Sequence, residues 1–131
     1  VSGVSSDLRQ VEAAASEGNE RAQLAIDLFA HRVRRGIGAA LAVLGGADAV
    51  VFTGGIGEYG VAMRHRILAG LSGLGMKLDG RANRECLGRG GHISTSDSPS
   101  ALLVISAREE WVSARETAAT LSGANEEAKV G

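Results

Sequence analysis

The sequence predicts an α/β fold, a sheet flanked by helices, and three features carry that expectation. The stretch from Glu20 to Leu44 holds apolar residues at helical spacing. A short β-branched run, Ala49-Val50-Val51-Phe52-Thr53, leads into a glycine-rich turn. Two further apolar runs, His92 to Thr95 and Ala101 to Ile105, flank Asp97-Ser98-Pro99-Ser100, a turn by composition. Helical and extended signals in succession favour a sheet layered against helices.

In chain order, Asp7 to Glu17 predicts a first helix with Leu8, Val11, Ala14 and Ala15 on one face, capped by Ser5, Ser6 or Asp7 and ended at Gly18. Asn19 then caps a second helix through Ala22, Ile26, Phe29, Val33, Ile37, Ala40, Leu41 and Leu44, roughly 38 Å long at 1.5 Å per residue. Its first half is charged on the other face (Glu20, Arg21, Asp27, Arg32, Arg34, Arg35). Beyond Gly36 it is apolar all round, so burial of the second half is expected. Gly45-Gly46 stops it. The strand 49–53 lacks alternation, as for a central strand covered on both faces. A turn over Gly54 to Gly60 and a helix over Val61 to Leu71 follow. Between Gly73 and Gly91 the signal weakens to a short strand at Met76-Lys77-Leu78-Asp79, and a last helix begins near Arg108 and carries Trp111. Residues 1–121 read as one structural portion, and 122–131 as a frayed polar tail.

Twenty-one alanines and 19 glycines in 131 residues, with Phe29, Phe52, Tyr59 and Trp111 as the aromatic complement, predict a tight, thin core built from Leu, Ile and Val. Fourteen basic against fifteen acidic residues give a net charge of −1, which offers no field for nucleic acid or an anionic membrane. The single cysteine, Cys86, excludes an intramolecular disulfide framework and fits a reducing compartment. No apolar run reaches the roughly 18 residues of a span, so a cytoplasmic protein is expected. His31, His65 and His92 lack acidic or thiol partners at ligand spacing, and Arg32, Arg34, Arg35, Arg64 and Arg66 read as solvated charge. Val1 is not Met, and the first residues read as the middle of a longer chain.

The glycine turn admits two readings. Gly55, Gly57 and Gly60 satisfy G-x-G-x-x-G, and Asp79 lies about 20 residues on, as in an NAD-type dinucleotide-binding fold. Against this, two helices precede the strand, and the candidate second strand has only Met76 and Leu78 as apolar content. The alternative is a glycine turn that packs a helix on a sheet.

The segments VSGVSSDLR, GNERAQLAIDLFAHRVRRGIGA, DAVVFTGGIGE and EEWVSARET resemble, in order and spacing, the C-terminal portion of the acetate kinases over almost the whole chain. That family belongs with sugar kinases, chaperone ATPases and actin, so the resemblance implies part of a ribonuclease-H-like, actin-like ATPase domain. It further implies reversible phosphoryl transfer from ATP to acetate, giving acetyl phosphate and ADP, in a cytoplasmic homodimer. The reaction depends on magnesium, with manganese as the alternative ion. By the resemblance, Asp7, Leu8 and Arg9 line the adenosine pocket, although Asp7 also reads as a helix cap. Gly55, Ile56, Gly57, Glu58 and Tyr59 match the family's second nucleotide segment, G-I-G-E-N, with Tyr59 replacing the asparagine and available to stack on adenine. Glu109 matches the first glutamate of P-T-N-E-E, which the family associates with magnesium. Here Ser106-Ala107-Arg108 precede it, so a helix-terminal carboxylate paired with Arg108 is the other reading. The family's phosphate-gripping loop and transition-state arginines lie upstream of the matched segments, so no catalytic residue is assigned here and the 131-residue chain alone is expected to be inactive. A non-catalytic dimerisation or nucleotide-binding domain is the alternative.

Overall fold

A computed structural model of the chain describes residues 3, 5 and 7–107. Helix α1 (Leu8–Ser16) starts at Asp7, whose carboxylate accepts the Arg9 N–H at 3.0 Å. Gly18, at φ +91°, turns the chain, and the Asn19 side chain accepts from the Ala22 N–H at 3.1 Å to open α2 (Glu20–Leu44). Val11 of α1 meets Ala22, Ile26 and Ala30 of α2 in the buried cluster, the small alanines letting the two helices approach closely. Helix α2 ends at Gly45, whose left-handed backbone (φ 73°) returns its N–H to the Leu41 carbonyl.

Strand β1 (Ala49–Phe52) pairs in parallel with β3 (Ala101–Val104), and β2 (Gly91–His92) pairs antiparallel with β3, giving the order β1-β3-β2. Among the described residues β3 is therefore central, and β1, expected to be covered on both faces, is an edge strand with only Phe52 buried. An unbroken apolar run does not reveal which of two paired strands has a second neighbour. On β3 the alternation is clean, with Leu102 at 0 % and Val104 at 2 % exposure facing the core.

The crossover between β1 and β3 differs from expectation in four places. Gly54 to Gly60 is a short helix, α3 (Gly54–Tyr59), rather than an open turn, and Gly60 separates it from α4 (Val61–Leu68). A Cβ on Gly60 would lie 2.5 Å from the Ile56 carbonyl oxygen, so glycine is what lets the two helices abut. Helix α4 stops at Leu68, and a 3₁₀ turn covers Ser72–Leu74. Met76 to Asp79 makes one bridge, Leu78 to Ser94, in place of a strand. Asp79 then accepts the N–H groups of Arg81 (2.8 Å) and Ala82 (3.0 Å) and caps α5 (Gly80–Glu85), a helix with no apolar period to announce it. That capping role overturns the ribose-binding reading of Asp79 and, with β1 at the sheet edge, the dinucleotide fold.

The second half of α2 is not buried: Val43 is 87 % and Leu44 71 % exposed. No described helix is long and apolar enough to cross a membrane. The expected last helix with Trp111, Glu109 and the tail 122–131 lie outside the described residues.

Candidate functional site

Helices α1 and α3 face one another across a pocket of about 730 Å³, within the size range of small-molecule sites. Asp7, Leu8 and Arg9 form one wall with Val11 and Glu12 behind them. Gly55, Ile56 and Tyr59 form the opposite wall, and Ala25 and Phe29 of α2 close the floor. The pocket thus joins two segments some fifty positions apart in sequence, both singled out by the resemblance. Its lining is mainly apolar, with charge at the rim. Asp7 takes side-chain hydrogen bonds from Arg9 Nε (3.4 Å) and Nη2 (3.3 Å), which together with the Arg9 N–H hold its carboxyl below the ordinary aspartate value.

The two inner glycines of α3 serve different ends. A Cβ on Gly55 would meet nothing within 4 Å, so its absence leaves the pocket wall low and the backbone open to a ligand. On Gly57 a Cβ would come within 2.9 Å of the Phe52 carbonyl carbon, so its absence lets α3 sit down on β1. Gly57 is buried and does not line the pocket.

Glu58 also points away from the pocket. It is 6 % exposed, and its carboxylate accepts the Ser106 hydroxyl at 2.6 Å and the Ala107 N–H at 2.8 Å. These bonds, the Ser106 hydroxyl foremost and with help from the Gly54 N–H, lower its pKa from the ordinary glutamate value. Glu58 is a tie between α3 and the segment that leaves β3 toward residue 109.

Two arginines expected on the solvated face are structural. Arg64 is 0 % exposed, and its guanidinium donates to the carbonyls of Gly57 (2.6 Å) and Glu58 (3.0 Å), and to the Asn83 side-chain oxygen (2.7 Å) and carbonyl (2.8 Å). Asn83 in turn donates to the Val61 carbonyl at 3.0 Å. Arg34 donates to the carbonyls of Ile67 (3.0 Å) and Arg66 (2.6 Å), supplying donors to the open end of α4. Arg66, by contrast, pairs with Asp27 at the surface, as a solvated charge does. Charge in a linear sequence gives no sign of a buried cradle of carbonyl oxygens, so Arg64 could not have been found that way. Phe29 could have been: it is the largest side chain on the apolar face of α2, and it lies over the floor of the pocket.

Ser5, Val11, Glu12, Ala25, Phe29 and Gly60 were not anticipated as pocket residues. His31, His65 and His92 are exposed and separate, and among the described residues no three His, Cys, Asp or Glu side chains group as a metal site. Glu109, the expected magnesium-linked carboxylate, lies outside the described residues.

Comparison with known proteins places these features in context. The model of the Acetokinase family matches residues 1–115. The acetate kinase of Methanosarcina barkeri is 54 % identical over 117 residues, 89 % of this chain and 28 % of the relative. That of Halothermothrix orenii is 52 % identical over 118 residues, 90 % of this chain and 29 % of the relative. Among solved structures, Porphyromonas gingivalis acetate kinase aligns with a TM-score of 0.82 at 38 % identity, over 92 % of this chain and 30 % of that one. A propionate kinase from Francisella tularensis aligns with a TM-score of 0.68 at 34 % identity, over 76 % of this chain and 25 % of that one. The chain has the mixed α/β fold of these kinases, the actin-like ATPase class expected from its sequence, and spans under a third of their length.

Proposed function

Because the chain belongs to the acetokinase family, we propose that its pocket receives the adenosine end of ATP or ADP in a reversible phosphoryl transfer between ATP and acetate, giving acetyl phosphate. The observation that supports this reading is the convergence of Asp7, Leu8 and Arg9 with Gly55, Ile56 and Tyr59 on one pocket. Leu8, Ile56, Phe29 and Tyr59 supply apolar surface for a base. Asp7 offers an acceptor at the rim for a sugar hydroxyl, and Arg9 a cation where negative charge leaves the pocket. Gly57 and Glu58 act from behind the wall, one by close packing and one by its bonds to 106 and 107.

We assign the phosphate-gripping and acceptor-binding groups to the part of the relatives' length that this chain does not span, so that residues 1–121 would contribute binding and orientation without chemistry. Magnesium, or manganese, would neutralise charge on the phosphate oxygens, and Glu109 is the residue of this chain we assign to it. The bare end of α2, with Val43 and Leu44, is surface for the remainder of the polypeptide or for the second subunit of a homodimer. A cytoplasmic location accords with the buried, unpaired Cys86.

Calorimetric titration with ATP tests the reading. Gly55→Val, whose side chain would project from the pocket wall, should weaken binding by about tenfold with the fold unchanged. Hydroxamate trapping should show acetyl phosphate only when the complementary N-terminal part is supplied, and turnover by the chain alone would refute the division of labour.

A further inference from the structure

Helix α3 is held in place without the Glu58 side chain. Gly57 seats it on β1, where a Cβ would come within 2.9 Å of the Phe52 carbonyl carbon. Arg64 grips its end through the carbonyls of Gly57 (2.6 Å) and Glu58 (3.0 Å), and the Gly88 N–H joins the second of these at 3.1 Å. The Glu58 carboxylate reaches elsewhere. Apart from the Gly54 N–H at the start of its own helix, its bonds go to the Ser106 hydroxyl (2.6 Å) and the Ala107 N–H (2.8 Å). Those two residues have left the sheet. The last bond from this stretch to β1 is the Ile105 N–H on the Phe52 carbonyl at 2.9 Å, and among the described residues Ser106 and Ala107 make their hydrogen bonds to Glu58 alone.

Resting on the nucleotide reading above, we infer that Glu58 is a positioning residue: its carboxylate sets Ser106 and Ala107 against α3, so that a nucleoside in the pocket steadies the chain where it leaves the sheet. A carboxylate suits the task, because it accepts two donors at once and an ionised acceptor makes a bond about twice as strong as a neutral one. Its neighbours Ile56 and Tyr59 line the pocket, so what presses on them presses on the same short helix that carries the tie. Neither Ser106 nor Ala107 is among the described residues that line the pocket, and the effect on them passes through the protein. The coupling is reciprocal. If the nucleoside holds the tie closed by some factor, a chain without the tie binds that nucleoside more weakly by the same factor.

Adenosine is the probe, because it has no phosphate that could reach Ser106 or Ala107 directly. It is titrated into the ¹⁵N-labelled chain until the Leu8 and Ile56 methyl signals stop moving, and amide hydrogen exchange is then compared with and without it. The Ala107 amide should exchange about fivefold more slowly with adenosine. The Gly75 amide, bonded within the 3₁₀ turn to the Ser72 carbonyl, should keep its rate. Glu58→Ala should weaken adenosine by about the same fivefold and leave Ala107 exchange insensitive to it. Glu58→Gln should restore both, since Oε1 accepts the Ala107 N–H and Nε2 donates to the Ser106 oxygen, whose hydroxyl turns to suit. A Glu58 that merely stabilised the fold would lower the urea midpoint and leave the adenosine affinity and the Ala107 response in place. If Glu58→Ala fails to fold, the wild-type exchange decides. With the methyl signals saturated, an unchanged Ala107 rate, an equal slowing of Gly75, or a Glu58→Ala chain that keeps the Ala107 effect overturns the proposal. Methyl signals that do not move sink the nucleotide reading on which it rests.

Discussion

Replacing Arg64 by methionine keeps an unbranched stem about as long as the aliphatic part of the side chain and removes its charge and all its donors. The wild-type guanidinium makes four hydrogen bonds to neutral acceptors, and burial lowers its pKa from the ordinary arginine value without a carboxylate to offset it. The Glu58 carbonyl keeps the Gly88 N–H, so the substitution strips the Gly57 carbonyl, the Asn83 carbonyl and Asn83 Oδ1 of the donor that reaches them. A buried acceptor without a partner costs about 1–3 kcal/mol, which puts the gross loss near 6 kcal/mol. Against this, the variant no longer buries a cation, a relief of a few kcal/mol. The net expectation is a loss of about 3 kcal/mol, a large share of the 5–15 kcal/mol typical of a domain. Urea denaturation followed by far-UV circular dichroism measures it as a lower midpoint at unchanged slope. A loss under about 1 kcal/mol would mean that the four bonds only balance desolvation and that Arg64 is not a structural tie between α3 and α5. Arg64→Met combined with Asn83→Leu should recover about 1 kcal/mol relative to the sum of the single changes, since the orphaned Oδ1 goes with its donor.

The paired glycines of α3 should separate stability from binding: Gly57→Ala forces a Cβ to within 2.9 Å of the Phe52 backbone and should cost about 1–3 kcal/mol in thermal denaturation. Gly55→Ala meets nothing within 4 Å and should leave the midpoint unchanged or slightly raised. Glu58, whose folded pKa lies below its ordinary 4.5, contributes stability that is full above that value and is lost as pH falls through the lowered folded pKa. Wild type and Glu58→Gln should therefore differ most near neutrality and converge in acid, and curves that stay parallel below pH 4.5 would remove Glu58 from the account. Val43→Glu, at a position 87 % exposed, should leave the chain's own midpoint within about 0.5 kcal/mol while blocking self-association or pairing with the N-terminal part in light scattering; unchanged association would take that surface out of the interface.

The helices were legible where periodicity and a cap agreed. Asn19 and the apolar face from Ala22 onward fix α2 from both directions, and Gly45 ends it. Helix α5 escaped because its signal is confined to one carboxylate, Asp79, and the six residues it caps are too few to show a period. The edge position of β1 among the described residues escaped because side-chain pattern reports how much apolar surface a strand carries, and pairing is a matter of backbone partners. Val51, at 47 % exposure, and the α2 end read as core and stand bare, since a sequence records a demand for cover without saying from where the cover comes. Asp7 and Gly55 do line the pocket, but the inward turn of Glu58 was not legible, because a motif lists neighbours in sequence without saying which face of α3 each occupies. At 3.6 residues per turn, Gly55 and Tyr59 share the outer face and Glu58 turns inward to Ser106.

That division of faces bears on what the pocket can do for a reaction. Of the groups that line the pocket, Leu8, Gly55, Ile56 and Tyr59 are apolar or aromatic, and none of these four would sense charge developing at a transferring phosphoryl group. Contacts of this kind stabilise ground state and transition state equally, so alone they lower a dissociation constant and leave the chemical barrier unchanged. They acquire catalytic value only when the nucleotide's other end is held against groups that favour the transition state, because fixed orientation then replaces freedom the substrates would otherwise lose. The inward face of α3 supplies the means. Glu58 fastens α3 to Ser106 and Ala107, so the pocket wall is tied to the residues that follow β3. On the proposed nucleotide reading, that tie at Glu58 would be the route by which adenosine binding is felt at the phosphates.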